Sequence, residues 1–199
     1  MSTEARQTRI DPSRKAVALV GSAGGLNAVS VVLAALPAEL AAPVIVLLHL
    51  DPNHISRLAP ILARKARLSV KQAETGDALV AGHAFVAPPA SHLLVTLNGS
   101  LELGHGPPVG RLRPSADVFL TSLAQAYATG TLAVILSGAG HDGAAGAAAV
   151  KLAGGTVIAQ DRESAEYFGM PGAAIEEHAV DQVLPLGDVA VAVLEFVQA

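Results

Sequence analysis

Three side chains that together suit acyl transfer follow predicted strands that are far apart in the sequence. Ser22 lies in the turn of AVALVGSAGGLNAV, His49 ends the aliphatic run PVIVLLH, and Asp142 lies in LSGAGHDGAAG. A serine hydroxyl attacks a carbonyl carbon only when a base accepts its proton. Histidine is such a base, and a carboxylate fixes the tautomer of its ring. The three residue types therefore predict a serine hydrolase if the fold brings them together.

Each of these residues also has a commoner structural explanation when it is taken alone. Ser22 suits a helix cap or a phosphate ligand at a helix amino terminus. His49 suits a packed histidine with one bonded ring nitrogen, and Asp142 suits a cap of the helix that follows it. The order Ser, His, Asp also differs from that of α/β-hydrolases and the familiar serine proteases. The residues alone thus indicate a possible triad on an unfamiliar scaffold.

The glycine turn matches none of the common nucleotide-binding or lipase patterns. Gly21, Gly24 and Gly25 do not form G-x-G-x-x-G, and no Lys-Ser or Lys-Thr pair follows as in a Walker A loop. G-x-S-x-G is absent because Val20 stands two residues before the serine. A nucleotide-binding domain is therefore the weakest of three functional hypotheses. The other histidines show no metal-ligand spacing, so we expect neither a metal nor another cofactor. They are His54, His83, His92, His105, His141 and His178.

Aliphatic runs that alternate with helical segments predict how the three residues are positioned. The predicted core strands are 16–20, 43–49, 132–138 and 156–160. This alternation favours an α/β fold with a doubly wound, mostly parallel sheet and helices on both faces. Ligands bind beyond the carboxyl ends of the strands in such sheets. We therefore expect Ser22, His49 and Asp142 to meet at one rim of the sheet.

The middle of the chain has a different pattern. Short segments broken by glycine and proline occupy 76–105, and Asn98-Gly99 between alternating runs predicts a β-hairpin. We interpret this region as an antiparallel hairpin annex at one edge of the sheet, followed by a helix from about Ser115. The predicted organisation is a polar N-terminal tail at 1–15 and a single catalytic domain at 16–199.

Composition excludes several classes of partner. The chain has 199 residues, a net charge of −4, 3% aromatic residues and no cysteine. This balance argues against nucleic acid. The uncharged stretch at 16–38 is interrupted by glycines and polar residues, and the N-terminus lacks the apolar segment of a secretory signal. We therefore expect a cytoplasmic protein that is not embedded in a membrane.

Several sequence blocks occur in order between Val17 and Leu186. They include VGSAGGLNAV, GHAFVAPPASHLLV, GPPVGRLRPSADVFLTSLA, AVILSGAGHDGAAG and TVIAQDRESAEYFGMPGAAI. Together they resemble the catalytic domain of the chemotaxis protein-glutamate methylesterases (CheB). The family's serine, histidine and aspartate fall on Ser22, His49 and Asp142. The resemblance implies hydrolysis of γ-glutamyl methyl esters on chemoreceptor signalling helices, with release of methanol and often with glutamine deamidation.

Four residues near the predicted triad are candidates to stabilise the oxyanion, and two of them differ from the usual family residue. The amides of Ala23 and Gly24, or those around Ala139 and Gly140, suit stabilisation of a tetrahedral oxyanion. Ala23 stands where many members have threonine, and Ala139 replaces a methionine, but a main-chain oxyanion site tolerates both changes. Met170, in the family's GMP block, is expected to form a wall of the substrate site.

The resemblance also sets expectations about partners and regulation. The expected partner is a methylated chemoreceptor or a related coiled-coil signalling protein. HLDP at 49–52, in place of the usual HMPP, resembles the branch that is fused to a methyltransferase or works beside one. The tail at 1–15 is too short for a receiver domain. If the chain is complete, we expect an ungated esterase or one governed by a separate receiver protein or methyltransferase.

Besides the weaker nucleotide-binding hypothesis, one further alternative to the methylesterase remains. In it the chain is a non-catalytic or weakly active signalling module that binds receptor-like helices, with Ala23 and Ala139 recording lost turnover. The geometry of Ser22, His49 and Asp142 distinguishes the two hypotheses. A histidine that points into the core would favour the module.

Overall fold

The computed structural model describes residue 11 and residues 14–49 and 56–199. Within these residues, the larger sheet contains β1 (Ala16–Gly21), β2 (Val44–Leu48), β3 (Ser69–Gln72), β4 (His83–Val86), β7 (Thr131–Ile135), β8 (Thr156–Gln160) and β9 (Gln182–Leu184). A smaller sheet contains β5 (His92–Val95) and β6 (Leu101–Gly104). The larger sheet is parallel throughout, in the order β3-β4-β2-β1-β7-β8-β9.

Helices cover both faces of the larger sheet. They are α1 (Gly25–Ala35), α2 (Leu58–Ala63), α3 (Ala116–Tyr127), α4 (Ala144–Leu152), α5 (Gly169–Glu176) and α6 (Leu186–Gln198). Side chains alternate along β1, so that Ala18 faces the core with α3, α4 and α5, whereas Leu19 faces the core with α1, α2 and α6. Every residue of β1, β2 and β7 is buried, as strands covered on both faces require. The predicted doubly wound α/β fold is confirmed.

The strand order places a crevice at the carboxyl end of β1. The chain passes from β1 to β2 on one side of β1 and later returns to β7 on its other side. Such a reversal leaves a gap between the connections that follow the strands. Ser22 follows β1, His49 follows β2, and Asp142 follows β7, so the fold brings all three to this crevice.

The predicted hairpin is present, but one segment of the middle region was assigned to the wrong sheet. β5 and β6 pair in antiparallel fashion around a turn that contains Asn98-Gly99, and Leu93 packs in the same core as Phe119 of α3. In contrast, His83–Val86 joins the larger sheet in parallel between β2 and β3. The prediction of an antiparallel annex over all of 76–105 was therefore wrong for β4, whose short apolar run does not by itself reveal its partner.

Two other predictions concern residues that the structure mostly does not describe. The polar turn at 50–54 lies outside the described residues, and so does all of the tail at 1–15 except residues 11, 14 and 15. In the described ranges, no helix combines the length and the apolar character needed to cross a membrane.

Candidate active site

Ser22 lies in a tight turn that is hydrogen-bonded to both neighbouring strand ends. Its main-chain amide donates to Ser137 O beyond β7 (3.0 Å), and the His49 amide donates to Gly21 O just before the turn (3.2 Å). Gly24 caps α1 with φ 74°, a left-handed conformation that glycine adopts without steric cost. The turn therefore leaves Ser22 partly exposed at the carboxyl edge of the sheet.

Ser137 holds this turn in place, a role that the sequence analysis did not assign to it. Its hydroxyl donates to Ala23 O (2.8 Å) and accepts from Tyr167 N (3.0 Å). Its own amide donates to the buried side-chain oxygen of Gln160 (2.8 Å). Ser137 thus links the turn after β1 to β8 and to the segment before α5. No local sequence pattern distinguishes it, because all of its partners are distant in the chain.

His49 and Asp142 form a short hydrogen bond in a nearly buried position. His49 Nε2 lies 2.7 Å from Asp142 Oδ2, and the two side chains are 10% and 9% exposed. An ionised carboxylate only accepts hydrogen bonds, so a neutral His49 carries its proton on Nε2 and has a free lone pair on Nδ1. The imidazole therefore points towards the crevice and Asp142 rather than into the core.

Ser22 lies beside His49, although their side chains are not bonded. The register pairs Gly21 with Leu48, so Ser22 and His49 are the next residues along adjacent strands. That spacing places their main chains about 4.8 Å apart. Among the described residues, Ser22 Oγ makes no hydrogen bond, and its predicted contact with His49 stays a prediction. Catalytic hydrogen bonds are often long without substrate and shorten when it binds.

The Asp142 carboxylate is stabilised by the amino-terminal turn of α3. It accepts hydrogen bonds from Ser115 Oγ (2.8 Å), Ala116 N (2.6 Å) and Asp117 N (3.2 Å). Burial alone would raise the pKa of Asp142. The hydrogen bonds from His49, Ala116, Ser115 and Asp117 outweigh burial and lower the pKa from 3.8 to about 2. Asp142 is therefore an anion at neutral pH.

Asp117 binds the start of α4 in return. Its Oδ1 accepts hydrogen bonds from Gly143 N (2.8 Å) and Gly146 N (2.7 Å). Burial raises the pKa of Asp117, the Gly146 amide opposes that shift, and the charge of Asp142 adds to it. Asp142 therefore does not cap its own helix, which is the structural explanation considered above. Asp142, in the loop before α4, thus binds the start of α3, and Asp117 of α3 binds the start of α4. This role of Asp117 was not predicted from the sequence.

Within the described residues, the amides predicted to support an oxyanion have no acceptor, whereas the Ser22 amide has one. Ser22 N is occupied by Ser137 O. In the described part of the chain, the amides of Ala23, Gly24, Ala139 and Gly140 donate to no acceptor. Donors of this kind are available to a developing negative charge. Their assignment to an oxyanion site stays a prediction.

Met170 packs behind the site rather than on its open surface. Its side chain is fully buried, and its amide donates to Gly138 O (2.9 Å). A Cβ on Gly138 would lie 2.2 Å from Met170 Sδ and 3.0 Å from Ser22 N. Gly138 thus lets the methionine, the loop after β7 and the Ser22 turn approach one another. The predicted role of Met170 as a wall of the substrate site stays a prediction.

We expect Gly138→Ala to destabilise the protein and to lower any activity of the site. The added methyl group would displace either Met170 or the main chain at Ser22, and overpacking of this kind typically costs about 1–3 kcal/mol. Urea denaturation measures the change in the free energy of unfolding. Gly187→Ala is the matched control, since a Cβ there meets nothing within 4 Å. Equal stability of the two variants would contradict this description of the packing.

The expectation that the site holds no metal stays a prediction. In the ranges 14–49 and 56–199, no three histidine, aspartate or glutamate side chains come together as metal ligands do.

A groove of about 520 Å³ opens beside Gly140, and its lining includes His141, Arg162 and Phe168. The Arg162 guanidinium lies 4.2 Å from the centre of the Phe168 ring. The surface next to the site is therefore open and carries both charged and aromatic groups.

The sequence was compared with models of known protein families. A model of the family described as CheB methylesterase matches residues 17–193 of the chain. The chain belongs to the CheB methylesterase family. The resemblance predicted from the sequence blocks is therefore confirmed.

Individual members of the CheB methylesterase family support this membership. A protein-glutamate methylesterase/protein-glutamine glutaminase of Burkholderia pseudomallei (strain 1710b) is 41% identical over 88% of this chain and 49% of its own length. Protein-glutamate methylesterase FrzG of Myxococcus xanthus is 37% identical over 97% of this chain and 58% of its own length. The chain thus spans about half the length of the curated relatives that it matches.

A solved structure shows that the CheB fold extends over nearly all of the chain. The crystal structure of the Thermotoga maritima CheB methylesterase catalytic domain matches with a TM-score of 0.88 and 37% identity. The match covers 92% of this chain and 98% of that chain.

Proposed function

We propose that this chain is a serine hydrolase that removes methyl esters from the γ-carboxyl groups of glutamate residues on chemoreceptor signalling helices. Ser22 is the nucleophile, His49 the general base and acid, and Asp142 the residue that orients the imidazole. The observation that carries the proposal is the 2.7 Å bond between His49 and Asp142 directly beside the Ser22 turn. It favours the enzyme over the non-catalytic module, since a binding surface does not need a buried, oriented imidazole.

The first half of the reaction transfers the glutamyl group to Ser22. His49 Nδ1 accepts the Ser22 proton while Oγ attacks the ester carbonyl carbon, and the carbonyl oxygen becomes an oxyanion. Amides of the Ala23-Gly24 turn or the Ala139-Gly140 loop donate to that oxyanion. Each such donor is typically worth about 10²–10³ in rate. When the carbonyl re-forms, the methoxy group leaves with the proton from His49 as methanol.

The second half returns the enzyme to its starting state. Water attacks the acyl carbon while His49 Nδ1 accepts one of its protons, and Ser22 leaves with that proton. The product is the γ-carboxylic acid, which gives its remaining proton to the solvent and is released as the carboxylate. A glutamine side chain enters the same cycle with ammonia as the leaving group. This chemistry agrees with the double name of the Burkholderia pseudomallei relative, a methylesterase and a glutaminase.

The proposed substrate is a methylated chemoreceptor or a related coiled-coil signalling protein. The relatives' names support a protein substrate, since they act on glutamate and glutamine residues of proteins. The partial exposure of Ser22 supports it as well, because a side chain on an exposed helix must reach Ser22 from the protein surface. We further propose that the chain works beside a methyltransferase, since HLDP at 49–52 resembles the branch that is fused to one or works beside one.

Release of methanol from methylated receptor helices tests the proposal. We expect the purified chain to release volatile methanol from receptor segments carrying a labelled methyl ester. A serine-directed phosphonate should stop the release and add its mass to the peptide that contains Ser22. The Thermotoga maritima catalytic domain serves as the positive control. A folded chain that neither releases methanol nor reacts with the phosphonate, while the control does both, would sink the proposed function.

A further inference from the structure

Asp142 is held by α3, a helix that contributes no member of the proposed triad. Ser115 Oγ (2.8 Å) and Asp117 N (3.2 Å) donate to Oδ1, while Ala116 N (2.6 Å) and His49 Nε2 (2.7 Å) donate to Oδ2. A carboxylate accepts about four hydrogen bonds, so both oxygens are fully occupied. The plane of the carboxylate is therefore fixed by groups on both of its oxygens.

We infer that Ser115 is a positioning residue: its hydroxyl and the first amides of α3 hold the Asp142 carboxylate in the orientation in which Oδ2 meets His49. The inference rests on the proposed function, because this orientation affects catalysis only if Asp142 acts through His49. Among the described donors to Asp142, Ser115 contributes the one side-chain hydroxyl. Its removal therefore changes the support of Asp142 and leaves the main chain unchanged.

Ser115 is itself held in place by burial and by a main-chain hydrogen bond. The residue is fully buried, and its amide donates to His92 Nδ1 (3.3 Å). His92 Nε2 in turn donates to Pro107 O (3.1 Å) in the loop that precedes α3. A hydroxyl has a single proton to donate, and that of Ser115 goes to Asp142. Its bond as acceptor from Val118 N is long, at 3.5 Å. The short bond is thus the one to Asp142, and capping of α3 is the weaker role of the side chain.

Asp117 also links α3 to the loop that carries Asp142, through hydrogen bonds to the start of α4. Asp117 belongs to the first turn of α3 and binds Gly143 N and Gly146 N at the start of α4. Asp142 therefore accepts hydrogen bonds from the start of α3, and the amides of Gly143 and Gly146 donate hydrogen bonds back to Asp117 of α3. Such reciprocal bonds keep the two helix starts together, so that losing the Ser115 hydroxyl affects the direction of one carboxylate before it affects the packing.

Removal of the Ser115 hydroxyl, compared with that of another buried hydroxyl in the same helix, tests this inference. We expect Ser115→Ala and Ser115→Gly to lower kcat for methanol release about 10- to 100-fold, as expected for losing a hydrogen bond to a charged group. KM should change less than about twofold. Glycine is a good helix cap, so a loss in Ser115→Gly does not come from weaker capping. The control is Ser122→Ala, since Ser122 Oγ also bonds main chain within the fold, to Val95 N (3.0 Å) and Phe119 O (2.7 Å).

A second measurement separates this inference from the proposed function. In ¹⁵N-labelled protein, the resonance of the proton on His49 Nε2 reports its bond to Asp142 whether or not the chain is active. We expect it to shift or to broaden in both Ser115 variants and to stay in place in Ser122→Ala. An active chain in which Ser115→Ala keeps the wild-type kcat, or in which the Ser122 control loses as much, would overturn the inference. A wild-type chain without methanol release refutes the proposed function, and an unmoved resonance in Ser115→Ala then refutes the positioning role as well.

Discussion

We expect Ser22→Ala to lower methanol release by at least about 10³-fold. The loss should reach about 10⁶-fold if substrate binding and the oxyanion donors give little acceleration without the nucleophile. Alanine removes the proposed nucleophilic oxygen. Within the described residues, the nearby Ser137 hydroxyl is a poor replacement, since it already donates to Ala23 O. The measurement is the initial rate of methanol release from methylated receptor helices, at substrate concentrations that determine kcat and KM separately.

The fold should survive this substitution. Ser22 Oγ has no hydrogen bond within the described residues, so alanine leaves no partner unsatisfied and the free energy of unfolding should change by less than about 0.5 kcal/mol. Ser30→Ala is the matched control, because Ser30 Oγ donates to Leu26 O (2.7 Å) within α1 and lies outside the site. That control should keep wild-type activity. A Ser22→Ala variant with more than about a tenth of the wild-type rate would remove Ser22 from the mechanism.

In the larger sheet, the sequence correctly predicted four strands that are buried on both faces, but it assigned β4, which is buried in the same way, to the wrong sheet. β1, β2, β7 and β8 are largely continuous aliphatic runs, and such runs are typical of buried strands whatever packs against them. β3 and β9, the two edges of the sheet, were not predicted. Their residues are SVKQ and QVL, mostly exposed, and only the neighbouring strand makes them part of the sheet. The local sequence does not contain that information.

In the candidate site, too, the features set by the local sequence were predicted, and those set by distant parts of the chain were not. Ser22, His49 and Asp142 were predicted from their places beyond strand ends, which depend on local pattern and on a general property of parallel sheets. Ser115 was predicted only as the start of a helix, since its bond to Asp142 spans 27 residues and depends on how α3 packs against α4. Which ring nitrogen of His49 meets Asp142 was not predicted either. That choice follows from the relative placement of β2 and the loop after β7 in three dimensions.

Asp142→Asn should lower kcat about 10⁴-fold, as the corresponding change does in serine proteases. Each carboxylate oxygen of Asp142 accepts from two donors, so an amide nitrogen in either place faces an N–H group. If that nitrogen faces His49, the imidazole accepts at Nε2 and must carry its proton on Nδ1. His49 then has no lone pair for the Ser22 proton, and catalysis loses its base.

Stability against pH gives the same substitution a second, independent readout. The pKa of Asp142 is lowered from 3.8 to about 2 in the folded protein, so its ionised form stabilises the fold above the ordinary pKa. This contribution is lost as the pH falls from about 4 towards 2, and Asp142→Asn should remove that part of the pH dependence. Asp161→Asn is the control, since Asp161 also accepts from a main-chain amide, that of Ser164 (2.9 Å), in an exposed turn. If Asp142→Asn instead keeps the rate within tenfold of wild type, Asp142 is only a cap of α3, and His49 acts without an orienting carboxylate.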